Sequence, residues 1–225
     1  KIDEDDEISL EIVITGMHLL KEYGETYKEV EKDFKNTKKI DIEISSKNNF
    51  EVLHSISIAM EKFSKHFCDN KYDALILLGD RYEILPVAIA AAFNNIPIIH
   101  IHGGEKTLAN YDEFIRHSIT KMSKLHLVAT EEYRKRVIQL GENPDTVKNL
   151  GSLGVANVLE MRLLNKKELE GIIGGIKKLY YVVLFHPETL SEISVEEQTN
   201  SLIEALSKFR EKYNFVFIGS NSDTG

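Results

Sequence analysis

Short apolar runs rich in β-branched residues recur along the chain, separated by longer segments in which apolar positions return every three or four residues. The runs are "LEIVIT" (10–15), "IDIEI" (40–44), "DALILLG" (73–79), "IPIIHIH" (96–102), "LHLVAT" (125–130), "YVVLF" (181–185) and "FVFIGS" (215–220). Brief, nearly continuous apolar stretches of this kind predict strands covered on both faces. Helical spacing over 50–67, 84–93, 112–122, 131–140 and 195–213 predicts the connecting helices. Repeated strand-helix units predict an α/β fold with Rossmann-like, doubly wound, mostly parallel sheets. The charged stretch "LLNKKELEGIIGGIKKL" (163–179) interrupts the pattern before the last strand pair. It predicts a Rossmann-like domain over 1–154 and the start of a second one over 155–225.

In such sheets ligands bind beyond the carboxyl ends of the strands, and the polar clusters of this chain fall there. "TGMHL" brings His18 after the first run, "GDRYE" brings Asp80 and Arg81 after the third, and "HIHGGE" brings His100, His102, Gly103, Gly104 and Glu105 after the fourth. "HPETL" with His186 and "GSNSDTG" with Ser220 and Asn221 follow the last two runs. Each cluster has a plain structural reading as well. Asp80 can cap the helix beginning near Ile84, the two glycines can make a simple turn, and hydroxyls near a helix start suit either a phosphate or a loop. Asp112 and Glu113 open the helix "DEFIRH" with Arg116 one turn on, where first-turn acids are also ordinary dipole partners. His100 and His102 alternate on a strand, so a metal-dependent hydrolase is one alternative. On the residues alone that alternative stays open, with Glu105 nearby as a third ligand, and only the resemblance that the clusters carry together leaves no metal expected.

Composition narrows the class further. A net charge of −8 without a basic cluster argues against nucleic acid and anionic membrane partners. One cysteine, Cys68, fits a reducing cytoplasm and excludes a cysteine metal cluster. No run approaches the length of a membrane span. The sequence carries no GxGxxG, P-loop or GxSxG pattern, which weakens dinucleotide oxidoreductase, nucleotide triphosphatase and serine hydrolase readings, and no cofactor is expected. The chain starts at Lys1 and stops at Gly225 in a turn just after an apolar run, so both ends are expected to be missing.

Taken in order, the clusters resemble the UDP-N-acetylglucosamine 2-epimerases, particularly the hydrolysing branch of sialic acid and related nonulosonate biosynthesis. The resemblance rests on "TGMHL", "LLGDRYEILPVAIAA", "IPIIHIHGGE", "DEFIRHSITKMSKLHLVAT", "EEYRKRVIQLGENPDTVKNLGSLGVANV", "FHPETL" and "GSNSDTG", and covers nearly the whole chain from about Ile12. It implies two Rossmann-type domains around a glycosyltransferase-B-like cleft, a UDP-sugar substrate and a homo-oligomer, dimer or tetramer. It also implies that an opening strand with a Gly-Thr-Arg loop and most of the nucleotide-binding domain lie outside this chain.

The implied reaction eliminates UDP across C1 and C2 of the sugar and hydrates the resulting glycal to N-acetylmannosamine. That chemistry calls for a base near C2 and positive groups around the departing diphosphate. By position in the family pattern, Asp80 matches a catalytic carboxylate, Asp112 or Glu113 a second acid, and His186 a histidine near the diphosphate, with Arg116 its electrostatic partner. His18, Arg81, Gly103, Gly104, Ser220 and Asn221 fall in the implied substrate-binding set. One departure stands out, because relatives often read "HIEGGE" where this chain has His102. The second acid/base is therefore His102 or Glu105. A histidine there also occurs in relatives acting on more decorated sugars, which keeps UDP-2,4-diacetamido-2,4,6-trideoxyglucose as an alternative substrate. A noncatalytic nucleotide-sugar-binding module is the remaining alternative.

Overall fold

Eight strands and eight α-helices alternate along the chain in a computed structural model that describes residues 2–45, 47–79, 81–107, 111–175, 179–188 and 191–219. The strands are β1 (Ile12–Thr15), β2 (Thr37–Ile40), β3 (Leu75–Leu78), β4 (Ile98–Ile101), β5 (Leu125–Val128), β6 (Val147–Asn149), β7 (Tyr180–Val183) and β8 (Asn214–Phe217). The helices are α1 (Tyr27–Asp33), α2 (Asn49–Asp69), α3 (Leu85–Phe93), α4 (Tyr111–Met122), α5 (Glu131–Gln139), α6 (Leu153–Glu160), α7 (Lys166–Ile173) and α8 (Val195–Ser207). Every strand pairing is parallel, in the orders β1-β2, β3-β4-β5-β6 and β7-β8. Parallel neighbours need a crossover, which the helices supply. The chain is thus the α/β, parallel-sheet protein that its apolar pattern predicts.

The run at 40–44 behaves differently from the prediction. Its strand ends at Ile40, because the Asp41 carboxylate accepts the Glu43 N–H at 2.9 Å and Glu43 itself sits at φ 53°, which turns the chain out of the sheet. The pairing with β1 instead uses the polar Thr37–Lys39, with two lysines exposed on the strand. The helix expected to reach 213 stops at Ser207, β6, α1 and α6 are too short to be read in advance, and α7 falls inside the charged stretch read as a domain junction.

The main core lies where α2 and α3 cover the sheet. Val52, Ala59, Phe63 and Phe67 of α2 meet Val87, Ala88, Ala90 and Ala91 of α3, above Leu77 and Ile98 and beside Ile115 and Ile119 of α4. Alanines on α3 let the longer helix approach closely, and Asn48 fixes its start by accepting the Glu51 N–H. A second cluster of Val128, Val137 and Val147 seats α5 on β5 and β6. Among the described residues no helix is long and apolar enough to cross a membrane.

Three histidines, His66, His100 and His126, are buried in this framework, and two of them lie away from the strand-end loops. His126 stands opposite His100 in the β4–β5 register, fully buried, 3.2 Å from Glu142 but not aligned with it as a hydrogen bond. His66 meets Tyr72 and Glu11 at the end of α2. Burial pulls both imidazoles below the ordinary histidine value of 6.5. The unfolded chain then binds protons before the folded one does, so stability is full above that value and falls as pH drops beneath it. Urea midpoints measured at about pH 7.5 and about pH 5.5 should show this loss, and His126→Asn should shrink the difference even while lowering both midpoints. Truncating Ile98, which is completely enclosed, to alanine should cost about 2–5 kcal/mol in the same assay.

Candidate functional site

At the end of β4 the chain leaves the sheet through a backbone whose shape is forced. The His102 N–H still reaches the Leu127 carbonyl at 2.9 Å, so the ladder continues for one more residue. His102 then adopts φ 64°, a left-handed conformation that costs a non-glycine residue about 1–3 kcal/mol. Gly103 follows, packed so that an added Cβ would meet His100 Nδ1 at 3.2 Å and Thr120 Oγ1 at 3.3 Å. Gly104, at φ 83°, passes so close to α5 that a Cβ would lie 2.5 Å from the Tyr133 carbonyl oxygen. Both glycines are there because the backbone crosses two helices at contact distance.

The crossing brings Glu105 back over His102. Their side chains meet at 2.8 Å between Nδ1 and Oε1, with both side chains partly exposed. Two arginines pin the loop from beneath. Arg116 of α4, only 2% exposed, donates to the Glu105 carbonyl at 3.1 Å and to Thr107 Oγ1 at 2.9 Å, and lies 3.7 Å from Glu113. Arg136 of α5 donates to the Gly104 carbonyl and is braced by Glu132 at 2.8 Å. Glu113 accepts the Thr107 N–H at 2.6 Å and faces His117 at 3.3 Å. Burial pushes its carboxyl up, but the Thr107 N–H, His117 and Arg116 together outweigh this and hold it below the ordinary value.

The neighbouring loops meet this one. His100 lies wholly inside, with Nε2 donating to the Gly79 carbonyl at 3.0 Å and Nδ1 beside Thr120 at 3.2 Å, so both ring nitrogens are spent on joining β4 to the end of β3 and to α4. A metal held by His100 and His102 together has no support in this geometry. Among the described residues no group of three or more histidines, cysteines or carboxylates is arranged for an ion. After β3, Arg81 Nε donates to Glu83 at 2.7 Å. Glu83 is 4% exposed and lies against Gly16 of the loop after β1, whose Cβ position is 3.6 Å from its Cγ. The second carboxylate oxygen of Glu83 is buried with no hydrogen-bond partner among the described residues. In the same first loop His18 is exposed and shares a 2.7 Å contact with Thr26.

Of the residues expected at a site, the structure thus brings together His102, Gly103, Gly104, Glu105, Glu113 and Arg116, and sets Asp112 in the first turn of α4 beside them. Arg81 and His18 stand on the adjacent loops. His186 is exposed after β7, in a turn tied to α8 by Gln198, which accepts the Glu188 N–H at 3.0 Å. Asp80, Ser220 and Asn221 lie outside the described residues. Residues not anticipated are Glu83, Arg136, Thr107 and Gln198. Glu83 lay within a cluster already singled out, whereas Arg136 sits in an ordinary amphipathic run that carries no signal of its own.

The loop geometry makes a ranked prediction. Gly104→Ala meets a rigid carbonyl from a left-handed backbone and should cost about 2–4 kcal/mol. Gly103→Ala crowds only side chains that can give by a few tenths of an ångström, and should cost about 1 kcal/mol. Chemical denaturation of the two variants checks the order.

Comparison with known proteins joins these observations to a family. The family model for UDP-N-acetylglucosamine 2-epimerase matches residues 1–225. The chain is 57% identical over 223 residues to the Escherichia coli polysialic acid biosynthesis protein P7, covering 99% of this chain and 57% of that protein. It is 42% identical over 224 residues to the GDP/UDP-N,N'-diacetylbacillosamine 2-epimerase (hydrolyzing) of Campylobacter jejuni, covering 99% of this chain and 58% of that one. The chain therefore spans somewhat over half the length of these relatives. Among solved structures it matches the Neisseria meningitidis UDP-GlcNAc 2-epimerase bound to UDP-GlcNAc with a TM-score of 0.74 at 17% identity, covering 99% of this chain and 62% of that one. The Methanocaldococcus jannaschii UDP-GlcNAc 2-epimerase matches at 0.65 and 16% identity, over 98% of this chain and 60% of that one. These likenesses place the α/β architecture in the glycosyltransferase-B-like fold. By sequence over its whole length, the chain belongs to the UDP-N-acetylglucosamine 2-epimerase family.

Proposed function

We propose that the protein carrying this chain is a hydrolysing UDP-N-acetylglucosamine 2-epimerase, releasing UDP and forming N-acetylmannosamine for sialic acid-type sugars. The observation that carries the reading is the His102–Glu105 pair, 2.8 Å apart, held on a rigid loop at the carboxyl end of a central parallel strand. Epimerisation takes a proton from C2 on one face of the ring and returns one on the other. Two acid/base groups are therefore required, one for each face. Asp80 and the His102–Glu105 pair supply them. Asp112 or Glu113 provides a further acid at the start of α4. His18, Arg81 and His186 stand around the nucleotide sugar, with Ser220 and Asn221 in the implied diphosphate loop and Gly103 and Gly104 giving the sugar close access to the backbone. The 57% identical relative is named for polysialic acid biosynthesis, which favours N-acetylmannosamine as the product.

A second substrate has its own support. The 42% identical relative is named for a diacetylated bacillosamine, so UDP-2,4-diacetamido-2,4,6-trideoxyglucose is the alternative sugar on the same machinery. The two sugars differ at C4 and C6, not at the reacting carbons. The chemistry at C1 and C2 is common to both.

Incubating the full-length protein with each UDP-sugar and identifying products by mass and NMR tests the reading. Release of UDP with N-acetylmannosamine is expected, and incorporation of one solvent deuterium at C2 should accompany it. Absence of UDP release from both sugars overturns the proposal. Asp80→Asn should lower kcat by about 10²–10⁴-fold, as loss of a general acid or base does.

A further inference from the structure

Resting on that reading, we infer that the second acid/base is His102 alone and that Glu105 is a positioning residue acting through it. The inference begins with what each side chain already does. Glu105 is committed on both sides, its carbonyl to the buried guanidinium of Arg116 and its carboxylate to His102 Nδ1. A carboxylate can only accept from an imidazole N–H, so this contact places the proton of the neutral ring on Nδ1. Nε2 is left as the nitrogen that gives or takes a proton at the substrate.

The backbone says the same thing in another way. His102 occupies a left-handed conformation that a glycine would accept without cost, in a loop that already has two glycines directly after it. A histidine kept at such a position must be held by its surroundings. The Leu127 carbonyl, the glycine crossing and the two arginines supply that hold. The strain buys a fixed direction for the imidazole, since its backbone is held by the Leu127 carbonyl and its ring by the Glu105 carboxylate.

The proton balance closes with these roles. In the elimination, Asp80 takes the C2 proton, the C2–H electron pair becomes the C1–C2 π bond, and the C1–O bond breaks with its pair leaving on UDP. In the hydration, the His102 imidazolium gives its Nε2 proton to C2, the π pair forms the new C2–H bond, and water bonds to C1. His102, neutral at rest, takes that Nε2 proton from solvent beforehand; the surplus proton of the water passes to Nε2 and on to solvent, which returns the neutral ring, and Asp80 releases its own proton to solvent. The sum is one water consumed and one proton released with UDP.

Two measurements on the full-length protein test the division of labour. The first is a double-mutant cycle on UDP release with His102→Gln, Glu105→Gln and the double variant. His102→Gln should lower kcat by about 10²–10⁴-fold, and Glu105→Gln by a smaller factor of about 10 or more. The double variant should be no slower than His102→Gln within about threefold, because a residue acting through another loses its effect once that other is gone. Multiplicative losses would mean that Glu105 handles a proton itself, and would overturn the inference. The second is ¹⁵N NMR of labelled histidine in the resting protein, assigned by the signal missing from His102→Gln. Measured at increasing pH until the ring is neutral, the Nδ1–H tautomer is expected, moving toward Nε2–H in Glu105→Gln because the amide can donate to Nδ1. An Nε2–H tautomer in the wild-type protein overturns the inference even if the variants are too slow to measure. No UDP release by the wild-type protein would instead overturn the proposed reaction, while the tautomer result would stand on its own.

Discussion

The contact between Gly104 and the Tyr133 carbonyl oxygen governs the loop on which the rest of the site depends. No side chain fits in that gap, so the backbone runs past α5 at a distance only glycine permits. Once that crossing is fixed, the two residues before it have little freedom. Gly103 is wedged against His100 and Thr120, and His102 is left in a left-handed conformation. The carbonyls of Gly104 and Glu105 are turned away from strand partners, and such groups need donors when they leave water. Arg136 and Arg116 provide them. Hydrogen bonds from charged donors contribute about 1.5–3 kcal/mol each, enough to offset the strain at His102.

The sheet supplies the frame that makes such a loop stiff. β4 lies between β3 and β5, and its two neighbours hold it in register through Ile101. Fully buried His100 then bonds sideways to the end of β3, which ties the loop bearing Arg81 to the loop bearing His102. Glu83 makes the corresponding link on the other side, buried against Gly16 while accepting from Arg81. Among the described residues its other oxygen has no hydrogen-bond partner, so burying this carboxylate between the β1 and β3 loops is costly and Arg81 offsets only part of that cost. The polar groups around the site thus form a chain of fixed supports, each set by a strand end.

The strands with the strongest apolar runs were legible because burial on both faces leaves a mark that local sequence cannot hide. "IIHI" is of this kind, whereas in "LILL" Leu75 and Leu77 turn inward and Ile76 and Leu78 stay exposed. β2 was displaced because its sequence conflicts with its neighbours: the apolar Ile42 and Ile44 invite a strand, but the Asp41 turn takes the chain out of the sheet and buries Ile42 in the core by another route. The site was legible by type rather than by contact. Histidines, acids and glycines at strand ends pointed to a ligand edge. That Arg116 is buried under the loop, with its guanidinium on Glu105 and Thr107, could not be read from "DEFIRH", since helical spacing gives a face and not what packs on it. The same limit hid Arg136, which looks like one more exposed basic residue until α5 is set beneath the glycines.

The pairing of His102 with Glu105 also gives a physical account of the departure from "HIEGGE". With an acid at position 102 at a similar separation from Glu105, both carboxyls cannot ionise together at little cost, so one proton is shared between them. With histidine, the proton lies between an imidazole and a carboxylate instead. Under the proposed reaction, position 102 carries the group that exchanges the proton and position 105 the group that positions it. What changes is reach and charge: the imidazole extends the proton-bearing atom farther from the backbone, and its protonated form neutralises Glu105 rather than adding to it. A site so altered favours negative charge developing nearby, as when the C1–O bond to a diphosphate breaks. Under the proposed reaction the histidine is a different solution to the same proton problem, on a loop whose geometry brings positions 102 and 105 together.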